Sequence, residues 1–111
     1  MAVGDPGSAA ISVSRAPGEV LITVTGPVTT GTARRLVEEL TRALWSGPKR
    51  VTVDITGYAT LTPPILAALV RGGRLGRHLN IPVQVLGTAQ AAEMVRRSGV
   101  ERWVSMVVEQ G

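Results

Sequence analysis

The side chains able to do acid–base or nucleophilic chemistry are few: one histidine, eight carboxylates and no cysteine. His78 stands beside Arg77 with no carboxylate near it in sequence, and Asp54 and Glu93 each lack a partner at the spacing of a catalytic motif. No His-Glu pattern suits a metal, and without thiols neither disulfides nor thiolate metal sites can form. Gly72, Gly73 and Gly76 have the spacing of a phosphate loop, but they follow a helical pattern rather than a strand, and no Gly-Lys-Ser/Thr accompanies them. The chain is therefore expected to bind rather than catalyse, with no metal and no cofactor.

The stretch whose spacing carries most chemistry is Thr62-Pro63-Pro64. Threonine followed by proline is an ordinary way to begin a helix: the hydroxyl caps, and the imide takes a position whose N–H would have no partner within the helix. Ile65, Leu66, Leu69 and Val70 then recur at helical spacing, so a helix is predicted from Pro63, with the Ile65 N–H as partner of the Thr62 hydroxyl. Helix N-termini attract phosphate through free N–H groups and the positive end of the dipole. Two prolines delete two of those donors, which leaves a stiff entrance and a poor anion seat.

Other elements must deliver that entrance. Residues 51–55 read as the strand before it, with Val51, Val53 and Ile55 on one face and Thr52 and Asp54 on the other. Asp54 is expected to brace the turn at Thr56-Gly57. Upstream, Ile11 to Ser14 alternate and Ala16-Pro17-Gly18 turns the chain into an apolar stretch at 19–25, predicting a hairpin. Thr29 or Thr30 opens a helix with Ala33, Leu36, Val37, Leu40 and Leu44 on one stripe, and Ser46-Gly47-Pro48 ends it. On its outer side Arg35 with Glu39, and Glu38 with Arg42, have the spacing of ion pairs, and Trp45 is expected to pack as a lid. Downstream, the three glycines are expected to loosen the last turns of the central helix, and Arg71, Arg74, Arg77 and His78 to form its solvated end. Residues 83–86 read as a short strand. Thr88 then opens a last helix with Ala91, Ala92 and Val95 inside, Ser98-Gly99 closes it, and 104–108 form a closing segment or edge strand.

This strand, loop and helix resemble the central segment of the STAS domain, the fold of bacterial anti-sigma-factor antagonists. That family's strand ends in Asp-Leu-Ser-Gly and its loop runs into Asp-Ser-Ser-Gly-Leu; Asp54-Ile55-Thr56-Gly57 and the residues from Leu61 to Leu66 align with these without a gap. Where the family has Asp, Ser, Ser and Gly, this chain has Thr62, Pro63, Pro64 and Ile65, so the family's phosphorylated serine is Pro63 here. Gly26-Pro27-Val28-Thr29 stands where the family has Gly-Glu-Leu-Asp, and Ser98-Gly99-Val100 and Trp103-Val104 stand at the family's last helix end. The resemblance spans about residues 10–108. It implies a single α/β STAS-like domain: a mixed sheet of four or five strands with helices mainly on one face.

Length and composition fit that expectation. At 111 residues the chain suits one domain, 10–108, preceded by a loose arm at 1–9 rich in glycine, proline and serine. Charged residues are 18%, below the roughly 25% usual for soluble domains, which favours a sticky, partner-binding face. The N-terminus lacks the pattern of a signal peptide and no stretch reaches the length of a membrane span, so a cytoplasmic location without membrane insertion is expected. The net charge of +4 comes from scattered arginines with only Trp45, Trp103 and Tyr58 to stack bases, which argues against nucleic acid.

The resemblance implies a partner, an anti-sigma factor of the serine-kinase type, docked through Thr29, Tyr58, Thr62, Pro63, Pro64 and Ile65. With Pro63 at the family's phosphoacceptor position, the usual switch is expected to be absent there, and Thr62 stays open as an alternative phosphoacceptor. Two other roles of the family stay open: an accessory subunit bracing the ATPase of a lipid-transport complex, and a domain sensing a small ligand such as a nucleotide or lipid. An open sheet edge also leaves room for a homodimer.

Overall fold

The alternating stretches pair into a sheet whose strand order follows the chain. In the computed structural model, which describes residues 10–25, 30–57 and 61–109, β1 (Ala10–Ala16) and β2 (Glu19–Thr25) form an antiparallel hairpin. Gly18 makes the reversal at φ 77°, a backbone region that side chains disfavour. There follow α1 (Thr30–Trp45), β3 (Arg50–Asp54), α2 (Pro63–Leu79), β4 (Val83–Gly87), α3 (Ala89–Ser98), a 3-10 turn (Val100–Arg102) and β5 (Ser105–Val108). The sheet order is β1-β2-β3-β4-β5, parallel everywhere except the hairpin. The mixed sheet therefore has five strands, and the closing segment is its edge strand.

Each parallel crossover steps one place in the same direction across the sheet. Since such crossovers are right-handed, all three helices fall on one face. Burial follows: Val20, Ile22, Val24, Val51, Val53, Val83 and Val85 lie under the helices. On the other face Leu21, Thr52, Gln84 and Ser105 stand in register across β2 to β5 and are half-buried or exposed.

The core is aliphatic, as a chain without phenylalanine requires. Leu36, Leu40, Ala43 and Leu44 of α1, Ile65, Ala68 and Leu69 of α2, and Ala91 and Val95 of α3 cover the valines of the sheet. Each fully buried Leu or Ile contributes about 1.5–3 kcal/mol of transfer free energy. α2 does not loosen where its glycines lie. It runs on to Leu79 with Gly72, Gly73 and Gly76 all buried, and ends at Asn80 in the left-handed conformation, φ 60°. Glycine is required for close approach: a Cβ on Gly73 would lie 2.5 Å from the Trp103 carbonyl oxygen, and one on Gly76 would lie 2.6 Å from that of Ile81. α2 thus sits directly against the chain entering β4 and β5.

Two further expectations on α1 are corrected. Trp45 is 63% exposed and is not a lid: it occupies the last position of α1, beyond the stripe that faces the sheet. Arg42 pairs with Glu39 at 3.2 Å rather than with Glu38, because the i,i+3 carboxylate is within reach on the same side of the helix. The C-terminal elements form where the sequence placed them. Thr88 caps α3 by accepting from the Ala91 N–H at 3.1 Å, and Gly99 at φ 80° ends it.

Candidate functional site

β2 and β3 run parallel, so their C-terminal ends and the loops that follow emerge at the same end of the sheet. At that end Asp54 Oδ1 accepts from the Thr56 N–H at 2.9 Å and from the Thr56 hydroxyl at 2.7 Å. The turn that leads to the helix entrance is therefore braced as expected, and the carboxylate is spent on local structure. Leu61 is buried, and its N–H donates to Met94 Sδ at 3.3 Å, which ties the approach to α3.

Thr62 is the N-cap of α2 with φ −89° and ψ 156°, and Pro63 and Pro64 take the first two helical positions. The first turn closes through the Leu66 N–H, which donates to the Thr62 carbonyl at 3.0 Å. The expected side-chain cap is absent: the Thr62 hydroxyl bonds to no N–H of the helix, and its Oγ1 is buried without a partner among the described residues. Ile65 is also corrected. At 2% exposure its side chain belongs to the core, so the surface of the entrance is made by Pro63 and Pro64, both exposed, beside half-buried Thr62. Thr29 and Tyr58, the other two expected contact residues, lie outside the described residues.

The entrance is thus a rigid, uncharged knob held between two buried anchors, Leu61 and Ile65. Of the donors a helix start normally offers, two are missing, and α2 has no acidic residue in its first turn. Such a surface can dock against another apolar surface at little entropic cost, since proline has few conformations to lose.

Among the described residues, Asp54, His78 and Glu93 lie on separate elements. Asp54 lies at the C-terminal end of β3, while His78 is in the last turn of α2. Fifteen residues of helix separate Pro63 from His78, roughly 22 Å at about 1.5 Å per residue. Glu93, in α3, is occupied by Arg96 and Arg97, whose hydrogen bonds, that of Arg96 first, hold its carboxyl below the ordinary range.

Features that sequence spacing did not disclose lie along α2. Its exposed residues Pro64, Ala67, Arg71, Arg74 and His78 follow one stripe. Arg74 and Arg77 both lie over the Trp103 ring, 5.0 and 4.7 Å from its centroid. Between α1 and α2 runs a groove of about 310 Å³ over Ala33, Val37, Pro64, Ala67 and Ala68. The arginine spacing was readable, but the groove depends on α1 packing beside α2.

A sheet in chain order under three helices, with the loop after its third strand delivering a helix start to the surface, defines the STAS fold. Residues 11–109 match the family model described as "Mlab, STAS domain", and the chain belongs to this STAS-domain family. Among solved structures it is similar to the protein TM1081 at 7% identity, with a TM-score of 0.76 over 97% of this chain and 88% of that one. A serine-to-glutamate variant of RsbS from Moorella thermoacetica is 14% identical, with a TM-score of 0.76 over 90% of this chain and 87% of that one. An anti-sigma factor antagonist from Mycobacterium paratuberculosis is 16% identical, with a TM-score of 0.72 over 94% and 89%. At these identities the structural likeness speaks for the fold. A comparison of the sequence with curated proteins finds no match.

Proposed function

We propose that this STAS domain is a non-enzymatic docking module that binds an anti-sigma factor of the serine-kinase type through the loop and helix entrance at 58–66, without the family's phosphoacceptor. The observation that carries this reading is the entrance itself: Pro63, which the sequence resemblance aligns with the family's phosphoacceptor, is exposed and rigid on a helix start stripped of two N–H donors. Phosphorylation of such a contact works by placing charge in a desolvated interface, and proline accepts none. Thr62 does not replace the serine in this reading, because its hydroxyl oxygen is buried. Thr29 and Tyr58 complete the contact surface, and binding takes place in the cytoplasm.

A second reading, an accessory subunit bracing the ATPase of a lipid-transport complex, is favoured by the same absence of a switch. A permanent, apolar contact needs no phosphate chemistry. The family model is moreover described by Mlab and not by an antagonist. Among the described residues no helix is long and apolar enough to cross a membrane, so in that role the chain would join the complex through its protein partner.

Affinity capture of the tagged protein from its own cells, read by mass spectrometry, separates the two. Recovery of a kinase-like anti-sigma factor with unmodified Thr62 supports the unswitchable antagonist. Recovery of a transporter ATPase makes the second reading the function, and a phosphorylated Thr62 peptide overturns the absence of a switch in either.

A further inference from the structure

We infer that the outer face of α2, with the groove it shares with α1, seats an acidic amphipathic segment of a partner protein. The inference rests on the docking reading above and adds to it a second contact, which adjoins the proline entrance at Pro64 and extends along α2, together with the chemistry that contact selects. The groove offers the apolar part. Its floor is Ala33, Val37, Ala67 and Ala68, small side chains that leave about 310 Å³ between the two helices, enough to admit an aliphatic side chain from outside.

The charge lies on one side of that groove. Arg71 of α2 lines it, Arg74 and His78 continue the same exposed stripe, and α2 carries no carboxylate. The ion pairs among the described residues join Arg42 to Glu39, Arg50 to Glu19, and Arg96 and Arg97 to Glu93, so none uses an arginine of α2. Arg74 is also held in place over Trp103, beside Arg77, which lines a different cavity and donates to the Arg102 carbonyl at 2.9 Å; both guanidiniums are ordered by that ring. Ordering them in the free protein removes part of the entropy that binding a carboxylate would otherwise cost. On the α1 side the rim carries Arg34 and Glu38 together, so the acidic edge of the occupant faces α2.

Geometry selects a protein segment over other anions. On the stripe beside the groove Arg71 and Arg74 stand one turn apart, roughly 4.5 Å along the helix at about 1.5 Å per residue, a spacing that suits carboxylates one turn apart on an acidic helix. Bases would need a free aromatic face beside the arginines, and Trp103, the ring packed against α2, is already covered by two of them. A flat anionic membrane would touch the arginine ridge but not the apolar floor, which is recessed between the helices. A helix with leucines on one stripe and glutamates beside it satisfies both parts.

The test uses the full-length chain labelled with 15N and a synthetic helical peptide of about 14 residues, with leucines at i, i+3, i+4 spacing flanked by glutamates, beside its glutamine analogue. Amide shifts are expected at Ala33, Val37, Ala67, Arg71 and Arg74, with the glutamate peptide bound at least about tenfold more tightly and the difference removed by Arg71→Glu with Arg74→Glu. Equal affinity for the two peptides, shifts confined to other elements, or displacement of the peptide by phosphatidylserine vesicles or duplex DNA at lower concentration overturns it. Failure here is separable from failure of the docking reading. A captured partner that loses affinity on Pro63→Asp but not on the double arginine change keeps that reading and refutes this one.

Discussion

Thr62 carries the most informative atom of the chain. It occupies the N-cap of α2, where a threonine hydroxyl normally accepts from the backbone and removing it costs about 1 kcal/mol. Here its Oγ1 is buried and unpaired, and such a group is a liability of about 1–3 kcal/mol. Replacing the hydroxyl by a methyl of the same shape should then relieve rather than cost. Thr62→Val is expected to leave urea stability unchanged or raised by up to about 1 kcal/mol. A loss of that size would show that the hydroxyl caps in solution. The threonine and its prolines were legible as a helix start, because proline at the first position follows from its missing N–H alone. The hydroxyl's isolation was not, since it depends on the surroundings that bury Leu61 and Ile65 on either side.

Among the elements, α2 is the one whose sequence misleads most. Three glycines within five residues suggest a frayed end, and in an exposed helix each Gly→Ala change gains about 1 kcal/mol. Packing reverses that sign at Gly73, where a Cβ would come within 2.5 Å of the Trp103 carbonyl oxygen and neither backbone can yield cheaply. Gly73→Ala is expected to destabilise by about 2 kcal/mol in urea denaturation, the overpacking cost exceeding the helix propensity gained. A stabilised variant would mean that α2 stands away from the chain entering β5. The strands and helices themselves were legible because period two and period 3.6 are set locally by which side chains must be buried. What a glycine or a tryptophan at a helix end does is set by elements distant in sequence, and so Gly73, Trp45 and the pairing of Trp103 with Arg74 and Arg77 could not be read from spacing.

α3 gives a prediction in pH. Hydrogen bonds from Arg96, then Arg97, lower the Glu93 pKa, so the folded state binds its proton less readily than the unfolded one. The stabilisation is present above the ordinary carboxylate range and is lost as pH falls through the lowered folded value. The wild type should therefore exceed Glu93→Gln in stability at neutral pH by a small margin, since the pair is exposed, and the margin should vanish in acid. A margin that grows on acidification would contradict the assignment.

At the scale of the whole molecule the topology separates two surfaces. The helices take one face of the sheet, and β2 and β3 end on the same side of it, where α2 begins at the exposed Pro63 and Pro64. The STAS fold was legible in outline, because Asp54 to Gly57 and Leu61 to Leu66 resemble the family's motifs and the element order has one right-handed solution, while the choice between four and five strands was settled only by the pairing of β5 with β4. Of the residues expected to meet a partner, Pro63 and Pro64 are exposed while Ile65 is in the core, and the α1–α2 groove adjoining Pro64 was not legible because it belongs to two elements at once.

The central claim, docking through an entrance without a phosphate switch, is tested most directly by calorimetric titration of the captured partner into wild type and Pro63→Asp. Aspartate at the first helical position suits the dipole, by about 0.3–1 kcal/mol, which offsets the stiffness lost with proline and keeps the domain folded. The account predicts unchanged thermal stability with affinity weakened at least about tenfold, about 1.4 kcal/mol, because a charge has entered the contact. Unchanged affinity in the folded variant would contradict it and place the partner elsewhere on the domain.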